Sequence, residues 1–172
     1  MRSLSYAGLC ALFCLASAVS GCGKAGSSSN TSKASDTRGV IASASDCASF
    51  GPEAVKACST AIERAVNAHE AFSTLYQNIK ACESAVGVNQ CERAASGKYR
   101  ARLSAFVVTM GSGSTRAQPL YPVKGGGVGF QTAGADVLLA SDPSVPFSRL
   151  ALSVAETLAA SGKKGGKKAS PL

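Results

Sequence analysis

Four cysteines, spaced Cys47-x10-Cys58-x23-Cys82-x8-Cys91, are the residues whose type and placement bear most directly on chemistry. A zinc knuckle takes its thiolates from close pairs such as C-x2-C. A dithiol redox centre uses C-x-x-C near a helix start. Neither spacing occurs in this set, which favours structural disulfides over metal binding or redox catalysis. Four cysteines allow three pairings. Joining Cys47 to Cys58 and Cys82 to Cys91 closes two short loops, whereas Cys58–Cys82 nested inside Cys47–Cys91 suits an antiparallel helical hairpin. A helix break expected near Ser73–Tyr76 lies closer to Cys82 than to Cys58 and skews that hairpin, so the local pairing is preferred and the others stay open.

Other side chains offer less. His69 is the single histidine and falls on an apolar helical stripe, where it reads as a packed residue rather than a general base. No acid is expected to orient it. Glu53, Glu63, Glu70, Glu83 and Glu92 read as solvated helix faces. Lys98, Arg100 and Arg102 surround Tyr99 in a small basic patch that has the elements of a phosphate contact with a stacking ring. Three charges with one aromatic fit a solvated segment better. Gly125-Gly126-Gly127-Val128-Gly129 lacks both the βαβ setting and the Lys-Ser/Thr ending of a phosphate loop, so it is expected to be a turn. No catalytic, cofactor-binding or metal-ligating residue is assigned, and no cofactor is expected.

The elements that would hold these residues follow from periodicity. Gly51-Pro52-Glu53 is a helix entrance. Val55, Cys58, Ile62, Ala65, Val66, His69 and Phe72 recur at three- and four-residue steps, predicting one amphipathic helix from Pro52 to about Phe72. A second helix is expected around Gln77–Ala85, and a third piece from Cys91 to about Ser96. Leu103–Met110 is an apolar run compatible with a strand or a helix end. Leu120–Val123, Val128–Gln131 and Val137–Ala140 are short extended segments between turns. A last helix starts at Ser148 or Arg149, with Leu150, Val154 and Leu158 on one stripe and Ala151, Ala155 and Ala159 beside it. The expected fold is therefore mainly α with a small β or irregular part. It divides into a four-cysteine helical module at 45–97, short strands and loops at 98–140, a loop and C-terminal helix at 141–161, and a basic disordered tail at 162–172. Aromatics make up only 6% of the 172 residues and Trp is absent, so cross-links would supplement a thin core.

The N-terminus reads as an address. Arg2, the apolar run Leu4–Val19 and the small-residue exit Val19-Ser20-Gly21-Cys22 have the three parts of an export signal covering residues 1–21. The run is short for a membrane span and is interrupted by Ser and Gly. Its last four residues resemble the bacterial lipobox, which implies that Cys22 is lipidated and becomes the new N-terminus. Multiple acyl chains anchor far more firmly than one. Gly23 and Lys24, where inner-membrane lipoproteins commonly carry Asp, imply outer-membrane sorting. Residues 22–44 read as a lipidated Cys and a flexible Ser/Gly-rich linker. Export also sorts the seven cysteines: Cys10 and Cys14 belong to the leader, Cys22 takes the lipid, and the remaining four enter an oxidising compartment. The formal charge of +8 includes Lys163, Lys164, Lys167 and Lys168, which would favour anionic lipid or glycan contact rather than nucleic acid in an envelope setting.

Asp46-Cys47, Cys58-x-x-Ala61, Tyr76, Cys82-Glu83 and Gly87-x-x-x-Cys91 together resemble the YgiB-like family of bacterial lipoproteins, a family of unknown function. Gln118-Pro119-Leu120-Tyr121 and Gly125–Phe130 followed by Thr132 and Gly134 extend the likeness over residues 45–140. The chain departs from that pattern at Thr74-Leu75, where members often have Pro, in the reduced segment Ala105–Ser112, and in its tail. What the resemblance implies is a lipid-anchored, periplasm-facing envelope protein, read here as a non-enzymatic binding or structural lipoprotein with an unknown protein partner. Members are often encoded beside an ATP-grasp ligase, which implies as the alternative a thiol- or polyamine-related enzyme or redox accessory.

Overall fold

The computed structural model describes residues 36–125 and 127–165, with side chains up to residue 162. The expected signal peptide, Cys22 and most of the linker lie outside the described residues, as does the tail beyond 165. In chain order the elements are β1 (Thr37–Ile41), two 3-10 segments (Ala44–Phe50 and Pro52–Ala54), α1 (Val55–Phe72), α2 (Ile79–Val86), β2 (Cys91–Arg93), β3 (Tyr99–Ala101), β4 (Ala105–Met110), β5 (Thr115–Pro122), β6 (Gly129–Gln131), β7 (Val137–Leu139) and α3 (Arg149–Gly165).

The fold is not mainly α. Five strands form an antiparallel sheet in the order β1-β4-β5-β6-β7, and β2 and β3 form a separate hairpin. Strand β4 explains why the sheet is central. Its side chains alternate between two cores: Ala105 and Val107 pack with Val40, Leu120, Phe130, Leu138, Ala151 and Ala155. Phe106 and Val108 pack on the other side with Ile41, Cys47, Cys58, Ile62 and Ala65. A strand covered on both faces reads as a continuous apolar run rather than as alternation, and that pattern does not distinguish it from a buried helix.

Strand β1 comes from a stretch expected to belong to the flexible linker. Val40 and Ile41 are 0% and 1% exposed, one in each core. Gly39 permits the close packing there, because a Cβ at that position would stand 3.1 Å from the Phe50 ring. Three residues suffice for this role, and a Ser/Gly-rich average hides them. The outer edge of β1 is covered in turn: Val40 N–H donates to the Pro146 carbonyl at 2.8 Å, and Ser148 N–H donates to the Val40 carbonyl at 2.8 Å.

Helix α1 forms where the periodicity places it, entered through the 3-10 turn at Pro52–Ala54. Helix α2 starts after Asn78, whose side-chain oxygen accepts the Ala81 N–H at 2.9 Å. The third helical piece expected at Cys91–Ser96 is instead strand β2 and a hairpin turn into β3. Gly87 at φ +123° and Asn89 at φ +60° turn the chain out of α2, and Gly97 at φ +81° closes the hairpin. Helix α3 continues to Gly165, into the part expected to be a disordered tail. It buries the alanine stripe, with Ala151 and Ala155 at 0% and Ala159 at 6% exposure, while Leu150 remains 44% exposed. Small side chains let this helix approach the sheet, and Leu120 and Phe130 fill the space between.

Both disulfides are local. Cys47–Cys58 ties the first 3-10 segment to α1, and Cys82–Cys91 ties α2 to β2. The four residues are at most 6% exposed.

Candidate functional site

His69 is placed by the helical phase that buries Cys58, Ile62 and Ala65, one turn from the end of α1. At 3% exposure it cannot satisfy its ring nitrogens with bulk water. Two partners from distant parts of the chain do so: Nε2 lies 3.3 Å from Glu92 Oε1, and Nδ1 lies 3.0 Å from the Tyr121 hydroxyl. A carboxylate accepts and does not donate, so Nε2 carries the proton, and in the neutral ring Nδ1 accepts from Tyr121 O–H. Burial raises the Tyr121 pKa above its ordinary value; Arg100 opposes this and Glu92 adds to it. Tyr121 is therefore a neutral phenol at physiological pH.

Glu92 is held in turn by Arg100. The two are directly opposed across the β2–β3 hairpin, and Arg100 Nε donates to Glu92 Oε1 at 2.8 Å. Arg100 Nη2 donates to Glu70 Oε1 at 3.3 Å. Burial alone would lower the Arg100 pKa, but the bonds to Glu92 and Glu70 outweigh it and raise it, so the guanidinium stays charged. The result is a connected chain, Glu70–Arg100–Glu92–His69–Tyr121, drawn from α1, β2, β3 and β5.

This chain ends at the wall of a cavity of about 400 Å³ between the end of α1, α2 and the strands β5 and β6. The apolar part of the wall includes Phe72, Val86, Pro119 and Pro122. Phe72 is 86% exposed, an unusual position for a large apolar ring. Ser73 and Gln90 also line the cavity, and the buried atoms Ser73 Oγ and Gln90 Oε1 have no hydrogen-bond partner among the described residues. Gln90 is 8% exposed; its amide nitrogen donates to the Val123 carbonyl at 3.4 Å, and its oxygen lies against Gly87, where a Cβ would stand 2.7 Å from it. In the neutral-ring arrangement the Tyr121 proton goes to His69, and the hydroxyl oxygen is free to accept. The site thus combines an apolar wall with a few polar residues, His69, Ser73, Gln90 and Tyr121, the usual composition of a small-molecule pocket.

Several residues therefore have other roles than their sequence positions suggested. His69 has an orienting acid after all, since Glu92 reaches it from 23 residues downstream. Glu70 and Glu92 belong to an ion-pair network rather than to plain solvated faces. In the Lys98–Arg102 patch, Arg100 is buried and Arg102 Nη2 donates to the Cys91 carbonyl at 3.3 Å. Gln90 and Ser73 carried no signal, because burial of a Gln or Ser is invisible in one sequence. Of the glycine run, Gly125, Gly127 and Val128 lie between β5 and β6 and Gly129 begins β6; Gly126 lies outside the described residues. Lys163 and Lys164 continue the backbone of α3; their side chains, and all of Lys167 and Lys168, lie outside the described residues.

Comparison with curated proteins and with solved structures finds no match. A family model does match, over residues 35–140. That segment is more than half of the chain and contains every strand, both disulfides and the whole lining of the cavity. The chain belongs to the family described as protein of unknown function (DUF1190).

Proposed function

We propose that this chain is a non-enzymatic binding protein of the bacterial envelope, lipid-anchored at Cys22, that holds a small, partly apolar ligand carrying hydrogen-bond donors in the cavity beside His69. The observation that carries this reading is the largely apolar cavity itself, whose wall also carries His69, Tyr121 and Gln90, the last with a buried Oε1 that has no partner among the described residues. Leaving such an atom unpaired costs roughly 1–3 kcal/mol, a cost that a ligand N–H or O–H would remove once the Gln90 amide turns toward the cavity. Tyr76, Pro119, Tyr121 and Thr132, which carry the resemblance to YgiB-like lipoproteins, all line this cavity. The envelope assignment rests on the lipobox-like Val19–Cys22 and agrees with two disulfides in a small chain. The alternative of a thiol or redox enzyme draws no support from the four cysteines, whose sulfurs are bonded in pairs and buried.

Native mass spectrometry of the chain purified from cell envelopes tests the pocket. A bound small molecule should accompany the parent protein and disappear from Gln90→Leu, which retains its fold. A chain that carries nothing, and whose amide spectrum stays still across a set of aromatic amines and amides, would sink the pocket reading. For the anchor, Cys22→Ala should abolish palmitate labelling and membrane recovery; survival of either refutes it.

A further inference from the structure

A second concavity, of about 440 Å³, opens toward the start of β5, whereas the His69 cavity lies at its end, and it differs from that cavity in kind. Its lining includes Arg38, Arg64 and Arg116 together with Thr109, Thr115 and Gln118. The sheet register explains the convergence. Arg38 on β1 is paired with Thr109 on β4, and Thr109 with Arg116 on β5. Directly opposed residues of an antiparallel sheet point to the same face, so two guanidiniums flank one threonine hydroxyl in a single cross-strand row. With strands about 4.8 Å apart, long Arg side chains two strands apart can close on one group between them. Gln118, two residues further along β5, shares that face; Arg64 also lines the concavity, from α1, which packs on the opposite face of the sheet.

No carboxylate among the described residues stands within ion-pair distance of any of these three arginines. Asp36, the acid next along β1, lies beside Gly111 at the end of the sheet. The contrast with Arg100 is informative, since that guanidinium is held by two carboxylates. Three like charges around one groove repel one another, and a bound anion relieves that repulsion. Guanidinium groups match the oxygens of a phosphate in a bidentate fork, and hydroxyl and amide donors complete a tetrahedral oxyanion.

We propose that the groove lined by Arg38, Thr109, Arg116 and Arg64 is a binding site for the phosphate group of a phosphate ester. Its volume exceeds that of a bare phosphate and leaves room for the alcohol part of the ester. Glycerol phosphate supplies that chemistry in soluble form, and phosphatidylglycerol supplies it as a lipid headgroup.

The test is titration of the purified full chain with glycerol phosphate, and separately with vesicles of phosphatidylglycerol against vesicles of phosphatidylcholine. Saturable binding of the soluble ester, with amide shifts at Thr109 and Arg116, identifies a soluble ligand. Binding to the anionic vesicles alone identifies a headgroup. In either case the double variant Arg38→Gln/Arg116→Gln should weaken binding at least tenfold while leaving the circular dichroism unchanged. Because Lys163, Lys164, Lys167 and Lys168 are intact in that variant, it separates groove binding from attraction to the basic tail. The melting temperature gives a second readout: phosphate should raise it above its value in chloride at equal ionic strength, and the double variant should lose that difference. Binding to neither ligand, or binding that the double variant retains, overturns the proposal.

Discussion

At the scale of single residues, Glu92 is the hinge of the polar network, because one carboxylate oxygen serves both His69 and Arg100. Its side chain is 28% exposed and that of Arg100 is 11%, whereas Glu70 is 61% exposed. Removing the buried partner strands a charge, but removing the exposed one is screened by solvent. Glu92→Ala should therefore lower unfolding stability by about 2–3 kcal/mol, and Glu70→Ala by no more than about 1 kcal/mol, both read from denaturant midpoints. Equal losses would contradict the assignment of Glu92 as the principal partner. Tyr121 supplies a pH test. Its pKa is raised in the folded chain, so it contributes stability that is fully present below the ordinary phenol pKa near 10. That contribution is lost as pH rises through the folded value. Ultraviolet titration should show one tyrosine ionising late, and Tyr121→Phe should remove that late step together with the alkaline loss of stability.

At the scale of elements, the Cys82–Cys91 bridge does more than shorten a loop. It fixes the middle of α2 against β2, and so sets Gln90 and Glu92 on opposite sides of a cross-linked residue. Tyr76 and Tyr99 exchange backbone hydrogen bonds at 2.7 and 2.9 Å, which joins the α1–α2 connection to the same hairpin. Replacing Cys82 and Cys91 together by Ala should cost roughly 2–3 kcal/mol through loop closure in the unfolded chain. It should also broaden the amide signals of Gln90, Glu92 and Arg100 while leaving β4 and α3 sharp. Uniform broadening, or none, would show that the hairpin is not positioned by the bridge. Asp46 works likewise between elements: its Oδ2 accepts the Ala42 N–H at 3.0 Å and the Ser148 hydroxyl at 2.8 Å. Ser148 Oγ in turn accepts the Ala151 N–H at 3.0 Å and so caps α3.

For the whole molecule, the family match ends at residue 140, but the folding unit does not. Helix α3 covers the core face that holds Val40, Leu120 and Phe130, and the segment 146–148 closes the outer edge of β1. A chain ending at residue 140 would expose that face and an open strand edge, both of which favour aggregation. Such a truncation should lose its cooperative melting transition and bind a hydrophobic dye, and a sharp transition in the truncated chain would show that α3 is dispensable. The two concavities also give the molecule two chemically distinct surfaces, one largely apolar and one cationic.

What the sequence determined by itself is whatever depends on neighbours along the chain. Helix α1 was legible from Val55 to Phe72 because residues three and four apart share a face. The glycine turns and the short extended segments at 128–131 and 137–140 were legible from local backbone preference. The even cysteine set implied disulfides, and the helix break favoured the local pairing that the structure contains. Only the tertiary structure decided that Gly39-Val40-Ile41 is a sheet strand, since three apolar residues gain their energy from β4 and α3 far away. Only it decided that His69, Glu92, Arg100 and Tyr121 meet, and that Arg38 and Arg116 flank Thr109. Those contacts bridge separations of 23, 8 and 52 residues in the first group, and no periodicity along a chain encodes them. They exist because folding brings distant polar groups out of water together, where each must find a partner.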